Sequence, residues 1–226
     1  MTLPLKVGQK MPDVRLGSMG GNSVAFSDFA GRKVLVFVWG SWDPSRESLA
    51  ALEKYHQKHP ELVVVSVAVD AQGVDLPMRY VSKAKSTHEI WMDATCTLAR
   101  RWKVKKAGVT LLLNEARCLL LTGGLPDAAL LKKVDGLLGE KAKLKPIPEF
   151  KVDTHDTKVE ILCQQCTNYL TRRRVDDAVG FLRQACELDP ENEFIPPQTW
   201  ALRHPEKFYE GPVDVAWLKK QERIAP

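Results

Sequence analysis

Two pairs of residues, each three apart, are the places where this chain could do chemistry. The first is Cys163-Gln-Gln-Cys166, a literal C-x-x-C. Thiols at that spacing exchange disulfides or hold a metal when at least one is an accessible thiolate. The second is Asp43 and Arg46, inside Trp42-Asp43-Pro44-Ser45-Arg46. Asp43 reads as a helix N-cap, with Pro44 at the first helical position. A basic run of Arg100, Arg101, Lys103, Lys105 and Lys106 could attract an anion. The histidines, His56, His59, His88, His155 and His204, are scattered. His56 and His59 share the end of one helix, where an imidazole is ordinary. No ligand spacing emerges, so no metal site is expected.

The elements that must position these residues follow from pattern. Val34 to Trp39 is a continuous β-branched and aromatic run, which reads as a buried strand. The helix after it puts Leu49, Leu52 and Tyr55 on one face and ends at His59-Pro60. Leu62 to Asp70 is a second buried strand, parallel to the first because a helix joins them. Then come a helix over 77–86, a short strand over 90–93, a helical turn over 97–102 and a hairpin of 108–114 with 117–122. An amphipathic helix over 126–138 follows, with Leu130, Leu131, Val134, Leu137 and Leu138 on its apolar side. Residues 5 to 31 read as an edge hairpin turning at Gly20-Gly21-Asn22, with a one-turn helix near Ser27.

Beyond a proline-containing charged linker, residues 156–189 form a helical hairpin that turns at Arg172-Arg173-Arg174. Val159, Leu162, Cys163, Cys166 and Leu170 make one stripe; Val175, Ala178, Val179, Leu182, Ala185 and Cys186 make the other. Cys163 and Cys166 therefore sit mid-helix on an apolar face. A direct disulfide is strained there, and the thiols pack as small hydrophobes. The tail holds Phe194, Trp200, Phe208, Tyr209 and Trp217 among several prolines, a density that predicts packing across the body.

The stretch VLVFVWGSWDPSR resembles the active-site segment of thioredoxin-fold proteins, and within them the ResA/TlpA-type reductases and their AhpC/TSA relatives, which read roughly VLVNFWATWCPPCR. The leading hairpin resembles the family pattern VGxxxPDFxLxxxxGxxVxLSDFxG, and the resemblance covers about residues 5 to 140. VDDAVGFLRQACELDPEN resembles the second half of a tetratricopeptide-type unit. A lone unit cannot bury its own face, so it must dock, most simply on the thioredoxin-like domain. The tail is similar to one found in some bacterial thioredoxin-like proteins. The implied architecture is α/β: a central mixed sheet flanked by helices, with an N-terminal hairpin, over 1–142. A linker over 143–155 and an α-helical extension with an aromatic-rich tail over 156–226 complete it.

The resemblance also implies a site and its loss. Asp43 stands where the nucleophilic cysteine would be, Arg46 where the second would be, and Gly108 where the family places a cis-proline. Neither Asp43 nor Arg46 can form a mixed disulfide. The implied protein is a redox-inactive binding or accessory module. Its ligand or partner is held at Trp42, Asp43, Arg46, Lys105 and Lys106, which the resemblance brings to one face. Cations around a helix N-terminus suit a small anion or an acidic partner segment. The tail could also cover this groove. The alternative is a thiol-disulfide oxidoreductase or antioxidant protein working through Cys163 and Cys166 or a partner's thiols. Buried sulfurs favour the first reading and exposed ones the second.

Totals set the context. The 226 residues are 44% hydrophobic, with five cysteines and no apolar run long enough to span a bilayer. With no leader pattern, the expectation is a cytoplasmic protein in a reducing compartment, away from the membrane. A net charge of +5 is modest and no nucleic-acid motif accompanies it. No cofactor is implied, and the single helical unit leaves room for a homodimer.

Overall fold

The structure is a computed structural model and describes residues 5–139, 147 and 154–224. Seven strands form one sheet: β1 (Arg15–Ser18), β2 (Ser23–Ala25), β3 (Val34–Trp39), β4 (Val63–Ala68), β5 (Glu89–Met92), β6 (Val109–Leu113) and β7 (Leu119–Gly123). Their spatial order is β2-β1-β5-β4-β3-β6-β7. Strand β3 runs parallel to β4, in register from Val34↔Val63 to Trp39↔Ala68, and antiparallel to β6. The parallel pair needs a crossover, which is α1 (Leu49–Lys58). The remaining helices are α2 (Asp75–Ala84), α3 (Thr97–Arg101), α4 (Ala128–Leu138), α5 (Thr154–Leu170), α6 (Val175–Leu188), α7 (Ile195–Arg203) and α8 (Val215–Ile224). This is the mixed, helix-flanked sheet with a leading hairpin that the sequence predicts. Of the predicted linker, 143–153 lies outside the described residues except Ile147, which bridges to Gln9. Helix α5 starts at Thr154, two residues ahead of the predicted start.

Strand β3 is buried at every position because both faces of the sheet are covered. Its alternate residues enter different layers. Leu35, Phe37 and Trp39 pack with Leu49 and Leu52 of α1, Val81 of α2 and Val134 of α4. Val34, Val36 and Val38 belong to a layer that includes Trp102, Cys163 of α5, Leu182 of α6, Phe194 and Phe208. The C-terminal helices thus complete the second layer of the sheet, and the predicted docking of the helical hairpin is met. Val175 departs from its predicted stripe; it is exposed at the start of α6.

Inside the first layer lies a polar knot. Glu53 of α1 accepts from Thr87 N and Thr87 Oγ1 and pairs with His88 Nδ1 at 2.9 Å, while His88 Nε2 reaches Ser66 Oγ at 3.1 Å. The hydrogen bonds from Thr87 and His88 hold the Glu53 carboxyl down at about 2 despite its desolvation.

Candidate functional site

Strand β3 delivers the chain into Gly40-Ser41-Trp42-Asp43. A Cβ on Gly40 would lie 2.6 Å from the Trp42 ring, so only glycine lets the tryptophan fold back against the turn. Trp42 is buried and donates through Nε1 to Val69 O at 3.1 Å. Asp43 has extended φ/ψ and accepts from Ser45 N at 2.8 Å, the N-cap role expected of it. The turn it caps, Pro44–Ser48, is 3-10 and passes into α1. Burial raises the Asp43 carboxyl, against the pull of the Ser45 hydrogen bonds and the charges of Arg46 and Lys106.

Asp70, which the sequence reading assigned no role, locks this turn from the end of β4. It is fully buried and accepts from Ser41 N at 3.1 Å, from Ser41 Oγ and from Gln72 N at 3.2 Å. Desolvation pushes its carboxyl up to about 6. A lone acid closing the apolar run LVVVSVAVD was the available signal.

Arg46 overturns its predicted place on an open cationic face. It is 3% exposed and donates to the carbonyls of Ser41 (2.6 Å), Phe208 (2.7 Å) and Gly211 (2.9 Å). Its guanidinium lies 4.2 Å from the centre of the Tyr80 ring. Burial is tolerated because three carbonyls and an aromatic face replace its water. The guanidinium lines a different cleft, bounded by Tyr80, Tyr209 and Pro212, which neither Lys105 nor Lys106 lines. Lys105 is also diverted, being paired with Glu191. Arg100 meets Asp189 at 2.9 Å and Arg101 meets Glu160 at 3.5 Å. The predicted convergence of Arg46, Lys105 and Lys106 does not occur, because acids and carbonyls of the C-terminal extension take up the first two. Of the three, Lys106 stays with Trp42 and Asp43.

Gly108 follows Lys106 and Ala107 with φ +77, and its N–H donates to Val38 O at 2.8 Å. Proline fits neither condition, since it fixes φ near −65° and has no N–H. The described residues contain no cis peptide. The backbone at Gly108 therefore does not admit the proline that the resemblance places there.

The tail approaches from two sides. On one, Phe194 meets Trp42 edge-on at 6.1 Å, Glu193 N donates to Lys105 O at 3.0 Å, and Gln198 Oε1 accepts from Ala71 N at 2.7 Å. On the other lie Phe208 and Gly211 on Arg46, and the Tyr209 hydroxyl accepts from Gln72 Nε2 at 2.8 Å. Two clefts stay open between them, sharing Asp43, Lys106 and Ala107. One, of about 560 Å³, runs along Gly108, Val109, Gly124 and Leu125. The other, of about 540 Å³, lies against Pro197, Trp200, Glu193 and Glu222.

Cys163 and Cys166 are fully buried, as are Cys96 and Cys118, and all five cysteines are free. Burial raises the Cys166 thiol, and the neighbouring Cys163 together with burial raises Cys96. No metal-ligand cluster occurs among the described residues.

The AhpC/TSA family model matches residues 7–123. Among curated proteins, the chain is 28% identical over 87 residues to the thioredoxin-like protein YneN of Bacillus subtilis, covering 38% of this chain and 51% of that one. It is 24% identical over 76 residues to the thiol-disulfide oxidoreductase ResA of Bacillus thuringiensis, covering 33% and 44%. The matched stretches span about half the length of these relatives. Among solved structures, one described as a thiol:disulfide interchange protein DsbE from Chlorobium tepidum superposes with a TM-score of 0.55 at 26% identity, over 60% of this chain and 99% of that one. The thioredoxin domain of a thiol-disulfide oxidoreductase from Bacteroides vulgatus gives 0.54 at 19%, over 60% and 99%, and shares the fold. With the family match running from the leading hairpin through β7, on a sheet of the same layout, the chain belongs to the AhpC/TSA family of thioredoxin-like proteins.

Proposed function

We propose that this protein is a redox-inactive member of its family, a binding or accessory module that holds a ligand or partner segment at Trp42, Asp43 and Lys106. One observation carries the reading. At the two positions where the family resemblance places thiols, Asp43 caps the helix and Arg46 is a buried anchor for the tail. Neither side chain forms a mixed disulfide. The backbone at Gly108 supports the same reading, since it does not admit the family's proline. Chemistry at Cys163 and Cys166 would need an accessible thiolate, and both sulfurs are enclosed.

The test is a disulfide-reductase assay, with insulin and a small aromatic disulfide, on the wild type beside Cys163→Ser/Cys166→Ser. No turnover from either protein is the expected result. Turnover that the double variant lacks would overturn the proposal and assign the chemistry to α5.

A further inference from the structure

The two clefts beside Asp43 differ in charge, and the one built by the C-terminal extension is acidic. Its wall carries Asp43, Glu193 and Glu222 against a single ammonium, Lys106. Of the nearby cations, Lys105 is paired with Glu191 and Arg100 with Asp189, so each already faces an acid outside the cleft's lining. We propose that this cleft binds a cationic peptide segment, with a lysine or arginine side chain entering between Trp200 and the carboxylates. The inference rests on the binding-module reading above and supplies the chemistry of its ligand, in place of the small anion that the sequence suggested.

Shape and surface agree with that occupant. At about 540 Å³ the cleft is of ordinary ligand-binding size. Trp200 is half-buried and held edge-to-face against Trp217 at 6.5 Å, so it offers a fixed aromatic surface, the best partner for a cation. Apolar walls at Trp42 and Pro197 flank the carboxylates and can receive the methylene stem of a lysine or arginine. Across the shared wall of Asp43, Lys106 and Ala107 lies the second cleft, with Val109 and the 47% exposed Leu125 along it. An extended segment crossing that wall would lay apolar residues along one cleft and a basic residue in the other.

The probe is a fluorescein-labelled peptide of alternating alanine and lysine, with an alanine and glutamate peptide as its counterpart. Binding is followed by anisotropy with the full chain at low and at physiological ionic strength. The lysine peptide is expected to bind, more weakly as salt rises, and the glutamate peptide is not. Diffuse attraction would give the opposite order, because the chain carries +5 overall. Glu193→Lys/Glu222→Lys, both at exposed positions, should weaken the lysine peptide roughly tenfold or more while leaving the melting temperature unchanged. Equal affinity in wild type and variant, no binding of the lysine peptide, or preference for glutamate would each overturn the proposal. Reductase turnover separates the two readings. Turnover overturns the module itself, whereas an inactive protein that ignores the lysine peptide overturns only this ligand.

Discussion

The guanidinium of Arg46 and the carbonyl oxygen of Phe208 lie 2.7 Å apart across 162 residues of chain. The same guanidinium reaches Gly211 O and Ser41 O, so one side chain ties the turn after β3 to the stretch of tail between α7 and α8. Arginine suits the task because its planar fork offers several donors at fixed angles and stays charged.

Removing that fork should loosen the tail first. Arg46→Met keeps much of the volume and deletes every donor. Each carbonyl left buried without a partner costs about 1–3 kcal/mol. We expect a loss of about 2–4 kcal/mol in urea unfolding, with trypsin cutting at Lys207 in the native variant well before the wild type. Arg46→Lys should fall between the two, because an ammonium cannot reproduce the fork. Wild-type protease resistance in the methionine variant would show that the anchor is dispensable.

A proline at position 108, where the family resemblance places one, should damage this protein. At Gly108 the backbone has φ +77 and donates to Val38 O, and Gly108→Pro opposes both. A loss of about 3 kcal/mol or more is expected, against about 1–2 kcal/mol for Gly108→Ala. The alanine Cβ would sit 3.2 Å from Leu125 Cδ2 and 3.4 Å from Ser45 Cβ, contacts that small shifts relieve. A proline variant as stable as the wild type would mean that the loop readily adopts the family's path.

Stability should peak on the acid side of neutrality. Asp70 and Asp93 are fully buried, and desolvation lifts them from 3.8 to about 6 and about 7. The folded state therefore holds protons that the unfolded state has released, and stability rises as pH falls through those values. Each such proton contributes about 1.4 kcal/mol per pH unit. His88, lowered by burial, opposes this by at most one proton. Glu53 acts at the other end: its folded value of about 2 against 4.5 means stability is lost as pH falls below 4.5. Urea midpoints should thus climb from neutrality towards a maximum near pH 4.5. Asp93→Asn should flatten the neutral limb, and an unchanged slope in that variant would refute the assignment.

The thiols should be silent in the native state. Cys96, Cys118, Cys163 and Cys166 are buried, and burial pushes the half-buried Cys186 up to about 12. An aromatic disulfide reagent at neutral pH should label fewer than one thiol per chain before unfolding and all five after it. Prompt native labelling at Cys163 or Cys166 would contradict the buried placement of α5.

Strands and helices were legible in the sequence because their signals are local: the apolar run of β3, the Asp43-Pro44 cap and the stripe through Cys163 and Cys166 all show periodicity within a few residues. The site was not, because its decisive contacts are distant. Arg46 at a helix start reads as a solvated cation until the tail supplies carbonyls. Lys105 reads as a free charge until Glu191, 86 residues on, is folded beside it. Asp70 was visible as an acid closing a strand, but its grip on Ser41 depends on how the sheet brings two loops together. The φ of Gly108 left no mark in the sequence beyond the glycine itself.

Contacts spanning most of the chain also set an order of assembly. In a chain made from its N-terminus, β1 to β7 leave the ribosome long before Phe208 and Gly211 do. Until then Arg46 keeps its water, and the face of the sheet built by Val34, Val36 and Val38 lacks its C-terminal cover. The closing of the tail over Arg46 therefore comes after the whole sheet has been made, and in the interval before it the uncovered face is open to chaperones and to aggregation.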